Sequence, residues 1–262
     1  MTDNQGWMPT ILVTNDDGVT APGIRNLIDA VRHFGKVVVV APDSPQSGMG
    51  HAVSINKPLR LDRVHLFDDW NIEAYQCSGT PVDCVKLAND VIFKGKKPTL
   101  CVSGINHGSN ASINVIYSGT MSAAMEAAID GIPSVGFSYL DFSFEADFTV
   151  AKQVVSDIIA RMLSERLPEH FLLNVNIPIV SVEDFKGIKV CRQADAYWTE
   201  NFDQRADPRG RNYYWMVGKF VNRDLGSDTD VDALRNGYAS VVSVRIDFTE
   251  ETIKDWLVRK WK

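Results

Sequence analysis

Residues 10–41 constrain the fold more than any other stretch. Thr10–Asn15 (TILVTN) is a short β-rich run that ends in polar residues. Pro22–Phe34 then sets Ile24, Leu27, Ile28, Val31 and Phe34 on one face of a helix, and Gly35 stops it. Lys36–Ala41 (KVVVVA) is apolar at consecutive positions, so both of its faces must be covered. Strand, helix and strand within about 32 residues make a β-α-β unit, the building block of a parallel sheet.

The same rhythm continues along the chain. Ser54–Leu66 and Asn71–Cys77 alternate weakly and suit an antiparallel excursion. Thr80 and Pro81 are an N-cap and first-turn pair that predicts a helix through Phe93. Thr99–Val102 reads as a strand, Thr120–Ile129 as an Ala-rich helix, Ile132–Ser138 as a strand, Phe148–Arg166 as an amphipathic helix and Phe171–Ile177 as a strand. Residues 10 to about 178 are thus expected to form one doubly wound, mostly parallel α/β sheet of Rossmann-like type.

Beyond that the character changes. Ala196–Phe220 is rich in Trp, Tyr, Arg and Asp, with Asp207-Pro208-Arg209-Gly210 as a turn signal. It reads either as a mobile surface loop or as a β-hairpin arm that packs on a second subunit, because Trp, Tyr and Arg are favoured at interfaces. A short helix (Asp230–Asn236), a strand (Tyr238–Phe248) and a terminal amphipathic helix (Glu250–Trp261) follow. The expected organisation is a single domain over residues 1–262, with a core at about 8–185 and a C-terminal oligomerisation arm at about 190–262.

Composition narrows the function classes. Lys and Arg total 27 against 33 Asp and Glu, a net charge of −6, which argues against a nucleic-acid polymer as partner. The longest apolar runs fall far short of the roughly 18 residues a membrane span needs. The N-terminal MTDNQGWMPT has neither a basic n-region nor an apolar h-region, and the four cysteines include no C-x-x-C pair. A cytoplasmic protein with reduced thiols is expected. Asp outnumbers Glu 24 to 9, which puts many carboxylates into turns and loops.

In an open parallel sheet ligands bind beyond the carboxyl ends of the strands. The loops there run Asn15-Asp16-Asp17-Gly18, Ala41-Pro42-Asp43 through Ser47-Gly48, and Ser103-Gly104-Ile105-Asn106-His107-Gly108-Ser109-Asn110. Adjacent carboxylates repel each other, and a cation beside Asp16 and Asp17 relieves that cost, although an Asp pair serves a turn cap as readily. Oxygen-only ligation suits Mg²⁺, Mn²⁺ or Ca²⁺ rather than Zn²⁺. Ser47 and Asn106 offer neutral oxygens at the same edge. Tyr117-Ser118-Gly119-Thr120 opens a helix, which makes it either an ordinary cap or an anion site.

Common nucleotide motifs are absent. Val53 stands where the dinucleotide fingerprint starting at Gly48 needs a glycine, and Gly95-Lys96-Lys97 lacks the spacing of a phosphate-binding P-loop. There is no G-x-S-x-G elbow, and the five histidines have no metal-binding spacing. His107 suits a proton donor or a solvated loop residue equally well.

As a set, Asn15-Asp16-Asp17-Gly18 with Ala21-Pro22-Gly23, Ala41-Pro42-Asp43 through Ser47-Gly48, Gly79-Thr80-Pro81 with Asp83-Cys84, Ser103–Asn106 with Gly108 and Asn110, and Tyr117–Thr120 closely resemble the SurE family of 5′-nucleotidases. The resemblance extends to Asp207–Arg211 with Tyr213-Tyr214-Trp215, Thr229-Asp230 and Gly237-Tyr238, while Ser240–Val244 departs from the family's usual stretch. It implies a Rossmann-like α/β core and hydrolysis of nucleoside 5′-monophosphates to nucleoside and inorganic phosphate, with 3′-nucleotides or short polyphosphate as further substrates. It implies one divalent cation per subunit, Mg²⁺ or Mn²⁺, on Asp16, Asp17, Ser47 and Asn106. It also implies a phosphate pocket near Asn110, Ser118, Gly119 and Thr120, and a C-terminal arm exchanged in a homodimer or homotetramer. No catalytic role is carried onto His107.

The implied chemistry is metal-assisted phosphate monoester hydrolysis, with the cation polarising a phosphoryl oxygen and the amides and hydroxyls of 118–120 taking further charge. Asp16 or Asp17 serves as base or nucleophile. Two competing classes remain: a nucleotide-sugar or polyphosphate-acting transferase, and a non-enzymatic nucleotide or metal sensor.

Overall fold

Alternation along the strands divides the core into two layers. In the computed structural model, β1 (Thr10–Thr14) sends Ile11 and Val13 to one face and Leu12 to the other. β2 (Lys36–Pro42) sends Val37, Val39 and Ala41 to the first face, and Val38 and Val40 to the second. Both faces are therefore covered, as the valine run requires. Residues 8–143 and 145–261 are described; the N-terminal stretch before Met8, for which no leader is expected, lies outside them.

α1 (Pro22–Val31) covers the first face together with α4 (Thr149–Ser164), whose Val154, Val155, Ile158 and Ile159 are buried against it. α2 (Pro81–Leu87) and α3 (Gly119–Ile129) cover the second face through Cys84, Val85, Ala123 and Ala127. Thr80 caps α2 as expected, in a reciprocal capping box with Asp83. A π-helical turn at Ala88–Ile92 carries the helix on toward Phe93.

The remaining strands are β3 (Leu61–Val64), β4 (Glu73–Cys77), β5 (Leu100–His107), β6 (Ser134–Tyr139), β7 (Leu172–Ile177), β8 (Ile188–Cys191), β9 (Ala196–Ala206), β10 (Asn212–Asn222) and β11 (Ala239–Ser243). A nine-stranded sheet runs in the order β3-β4-β2-β1-β5-β6-β7-β11-β8. β4, β2, β1, β5, β6 and β7 are mutually parallel, and β3 is the antiparallel excursion foreseen before Cys77. β1 and β5 lie at the centre, so the loops after them meet at one edge.

Two features differ from the sequence expectation. The sheet does not end near residue 178 or 185: β11 pairs antiparallel with β7 and carries β8 beyond it. β8 has no alternation to announce it, and it stays half-exposed at the sheet's end. β11 is also shorter than Tyr238–Phe248, because Val244 and Ile246 leave the ladder to pack on Met121, Ala124 and Leu172. The β9–β10 hairpin forms its own two-stranded sheet, paired from Ala196–Asn222 to Ala206–Asn212. α5 (Asp230–Arg235) packs back on the sheet, and α6 (Glu251–Lys260) buries none of its residues.

Candidate active site

The polar ends of β1 and β5 and the N-terminus of α3 converge on Asp16. Its side chain is 4% exposed. Oδ1 accepts a short hydrogen bond from the Thr120 hydroxyl, across 104 positions of sequence. Gly119 lies so close that a Cβ there would fall 2.7 Å from the Asp16 Cβ and 2.9 Å from Oδ2. On the other side, the Asp16 carbonyl accepts from the Gln46 N–H at 2.7 Å, which ties the loop after β2 to the end of β1.

Asp17 is half-buried, and its Oδ2 accepts from the main-chain N–H of His107 at 3.3 Å. The loop after β5 therefore joins the carboxylates through its backbone. The His107 ring turns elsewhere, edge-on to Phe148 with centroids 5.6 Å apart, and burial lowers its pKa. The β5–β6 register shifts between Ser103 and Asn106, a bulge that redirects the end of β5. Asn106 donates its side-chain N–H to the Gly108 carbonyl at 2.9 Å, which leaves Oδ1 as its acceptor. Ser47 is exposed, and it is its neighbour Gln46 that bonds to Asp16.

Electrostatics make the carboxylate pair costly by itself. Burial, and then the neighbouring charge of Asp17, push the Asp16 carboxyl up to about 6, against the pull of hydrogen bonds from Thr120. Burial raises Asp17 as well. Beneath the pair, Thr14 Oγ1, Asn15 Oδ1 and Ser103 Oγ are buried without a hydrogen-bond partner in the protein, and Thr14 and Ser103 lie side by side in the β1–β5 register. Among the described residues no group of three or more His, Cys, Asp or Glu has metal-holding geometry. Two carboxylates with several under-satisfied neutral oxygens nevertheless fit a hard, partly hydrated divalent cation.

The first turn of α3 faces Asp16 on the other side. Ser118 Oγ caps the helix by accepting from the Met121 N–H at 3.0 Å. The Thr120 hydroxyl proton goes to Asp16, so the contribution of Thr120 to an anion falls to its main chain. Asn110, 7% exposed, donates its side-chain N–H to Ser138 Oγ at 2.8 Å. The loop after β2 is held over α3 at two points. Gly50 N–H donates to the Tyr117 carbonyl at 3.2 Å, and His51 Nε2 lies 2.8 Å from Glu126 Oε2. Glu126, buried in α3, also takes a short bond from Lys86 of α2, and the His51 and Lys86 contacts hold its carboxyl below the usual range.

The structure thus gathers Asp16, Asp17, Gly119 and Thr120 into direct contact or one residue from it, while Asn106 and Ser47 are each one residue from a loop neighbour, His107 and Gln46, whose main chain bonds to the pair. Sequence reasoning missed Glu126, and it missed the polar residues of β6 and β7 around Asn110. The signal for the latter was present: Asn174 and Asn176 alternate with buried valine and isoleucine in a strand that otherwise reads as core.

Comparison with known proteins bears on this arrangement. The family model described as survival protein SurE matches residues 11–200. A 5′-nucleotidase SurE of Flavobacterium johnsoniae is 61% identical over 241 residues, 92% of this chain and 92% of that protein. Another, from Christiangramia forsetii, is 57% identical over 248 residues, 94% of this chain and 95% of that protein. The crystal structure of the SurE protein from Aquifex aeolicus superposes with a TM-score of 0.83 at 38% identity, covering 97% of this chain and 100% of that one.

Proposed function

The chain belongs to the SurE family, and from that premise we propose that it is a phosphoric monoester hydrolase, a metal-dependent 5′-nucleotidase that releases inorganic phosphate from nucleoside 5′-monophosphates. The observation that carries the reading is the pairing at Asp16: a cation-seeking carboxylate pair in contact with the first turn of α3. A phosphate monoester needs both halves, positive charge on one side and oriented N–H groups on the other.

In this reading Asp16, Asp17, Asn106 and Ser47 would hold one divalent cation, Mg²⁺ or Mn²⁺. Such a cation would supply Lewis-acid polarisation of a phosphoryl oxygen. Thr120 orients the Asp16 carboxylate through its hydroxyl. The amides of Gly119 and Thr120 and the side chains of Ser118 and Asn110 bind the remaining phosphate oxygens. Asp16 or Asp17 serves as base or nucleophile.

A screen of nucleoside 5′- and 3′-monophosphates and short polyphosphate with Mg²⁺ or Mn²⁺ tests the proposal. Release of inorganic phosphate that EDTA abolishes is the expected result. Binding without turnover would favour a sensor, and phosphate appearing only in a transfer product would favour a transferase.

The chain works as one unit in the cytoplasm, with a small-molecule nucleotide as substrate and a second copy of itself as partner. Among the described residues no helix is long and apolar enough to cross a membrane. The β9–β10 hairpin exposes Phe202, Tyr214 and Met216 on one face and Trp215 on the other, apolar side chains of the kind that subunit contacts cover. A homodimer or homotetramer built through this arm is expected to fall to a monomer when residues 197–221 are replaced by a short turn. An unchanged mass by light scattering would count against the arm.

A further inference from the structure

A row of polar side chains, buried apart from Asn106, crosses the sheet beside the loop Ser103–Asn110. The strand registers set Asn106 of β5 opposite Ser138 of β6, Ser138 opposite Asn176 of β7, and Asn176 opposite Ser240 of β11. Asn174 shares the face of Asn176, two residues away along the strand. Ser138 and Asn176 are fully buried, and Asn174 is 2% exposed. Val175 between them points into the apolar core on the opposite face.

These side chains close a ring on Asn110. Its main-chain N–H donates to Asn176 Oδ1 at 2.8 Å. Asn176 Nδ2 donates to Asn174 Oδ1 at 3.0 Å, and Asn174 Nδ2 donates back to the Asn110 carbonyl at 2.8 Å. The ring begins at a donor and ends at an acceptor of the same residue, so turning over either amide would set donor against donor or acceptor against acceptor. A fourth bond, from Asn110 Nδ2 to Ser138 Oγ at 2.8 Å, fixes the side chain as well. Asn110 is therefore gripped at both main-chain groups and at one side-chain N–H, which leaves its second N–H and Oδ1 for a ligand.

Apolar residues at these buried positions would serve the core without the desolvation that amides bring. A buried ring of hydrogen bonds closed on a single loop residue serves to specify where that residue sits. We propose that Asn174, Asn176 and Ser138 are positioning residues for the hydrolysis, holding Asn110 in the orientation that meets the substrate phosphate. The proposal rests on the reading of Asn110 as a phosphate ligand. None of the three touches substrate; they act through Asn110.

The test compares Asn110→Ala, Ser138→Ala and Asn174→Asp in the full chain, measuring KM and kcat for a nucleoside 5′-monophosphate, competitive inhibition by inorganic phosphate, and the melting temperature. Ser138→Ala removes only the side-chain grip, whereas Asn174→Asp removes the donor to the Asn110 carbonyl and faces it with a carboxylate. Both are expected to raise KM and the inhibition constant for phosphate by roughly tenfold, in step with Asn110→Ala, as slight misplacement of a binding group does. A purely structural role would lower the melting temperature and the active fraction but leave both constants at wild-type values. If Asn174→Asp fails to fold, Ser138→Ala carries the test, since it deletes a single oxygen. Should Asn110→Ala raise both constants while Ser138→Ala leaves them unchanged, the positioning role is overturned and the phosphate assignment stands. If Asn110→Ala itself changes neither constant, the phosphate assignment is wrong and the proposal falls with it.

Discussion

Asp16→Asn should reduce metal-dependent turnover of a nucleoside 5′-monophosphate by roughly a hundredfold or more, because Lewis-acid stabilisation is worth several kcal/mol and each 1.36 kcal/mol is about a factor of ten. The substitution is nearly isosteric, so the short contact with Thr120 and the Gln46 bond to the Asp16 carbonyl can persist in a folded chain. What disappears is one of two charges at the cation site. The half-saturating metal concentration should rise together with the loss of turnover, and wild-type turnover within a few-fold would refute the assignment. Acidity should mimic the substitution. Burial and Asp17 push the Asp16 carboxyl up to about 6, so a proton competes with a cation within reach of neutral pH. Below that value the metal requirement should climb by about tenfold per pH unit while the proton holds the site, and above it the requirement should level off. Metal titrations of activity on either side of pH 6 measure this directly.

Gly119→Ala is the second large effect, and it separates local preference from tertiary constraint. Alanine is the better helix former by up to about 1 kcal/mol, so α3 taken alone would gain from the change. A Cβ at this position, however, would lie 2.7 Å from the Asp16 Cβ, 2.9 Å from Oδ2 and 3.1 Å from Cγ. Asp16 has little room to retreat, being buried at the end of a central strand with its carbonyl bonded to Gln46. Either the carboxylate rotates off the Thr120 hydroxyl or the first turn of α3 shifts, and both disturb cation and phosphate positions together. The expected outcome is a fall in kcat/KM of roughly 10- to 100-fold. The melting temperature should move by only a few degrees, since one buried contact is exchanged for a better helix residue. Wild-type kcat/KM in the Gly119→Ala variant would mean that Gly119 and Asp16 do not work at one site.

Much of the site was legible because its residues follow strands. Asp16 and Asp17 follow β1, Asn106 sits near the end of β5, and the parallel order brings those ends to one edge. Thr120 was legible only as a cap or anion group; that its hydroxyl serves Asp16 depends on a contact 104 residues away in sequence. The ring on Asn110 escaped notice for a related reason. Two asparagines in a β-run identify an oddity, but the partner that satisfies them is a main chain 64 and 66 positions distant. β8 gave no alternation to read, and the antiparallel insertion of β11 between β7 and β8 follows from pairing rather than from pattern.

By itself, then, the sequence determined which segments are strands covered on both faces, which helices cover them, and which loops bring polar side chains to one edge, because hydrophobic period and turn chemistry act within a few residues. Only the tertiary structure decided that Asp16 faces Gly119 and Thr120, that a second amide layer grips Asn110, and that the last strands rejoin the sheet. These depend on hydrogen bonds and close packing between segments far apart in the chain, where the energy lies in the match between two surfaces and neither segment carries the signal alone.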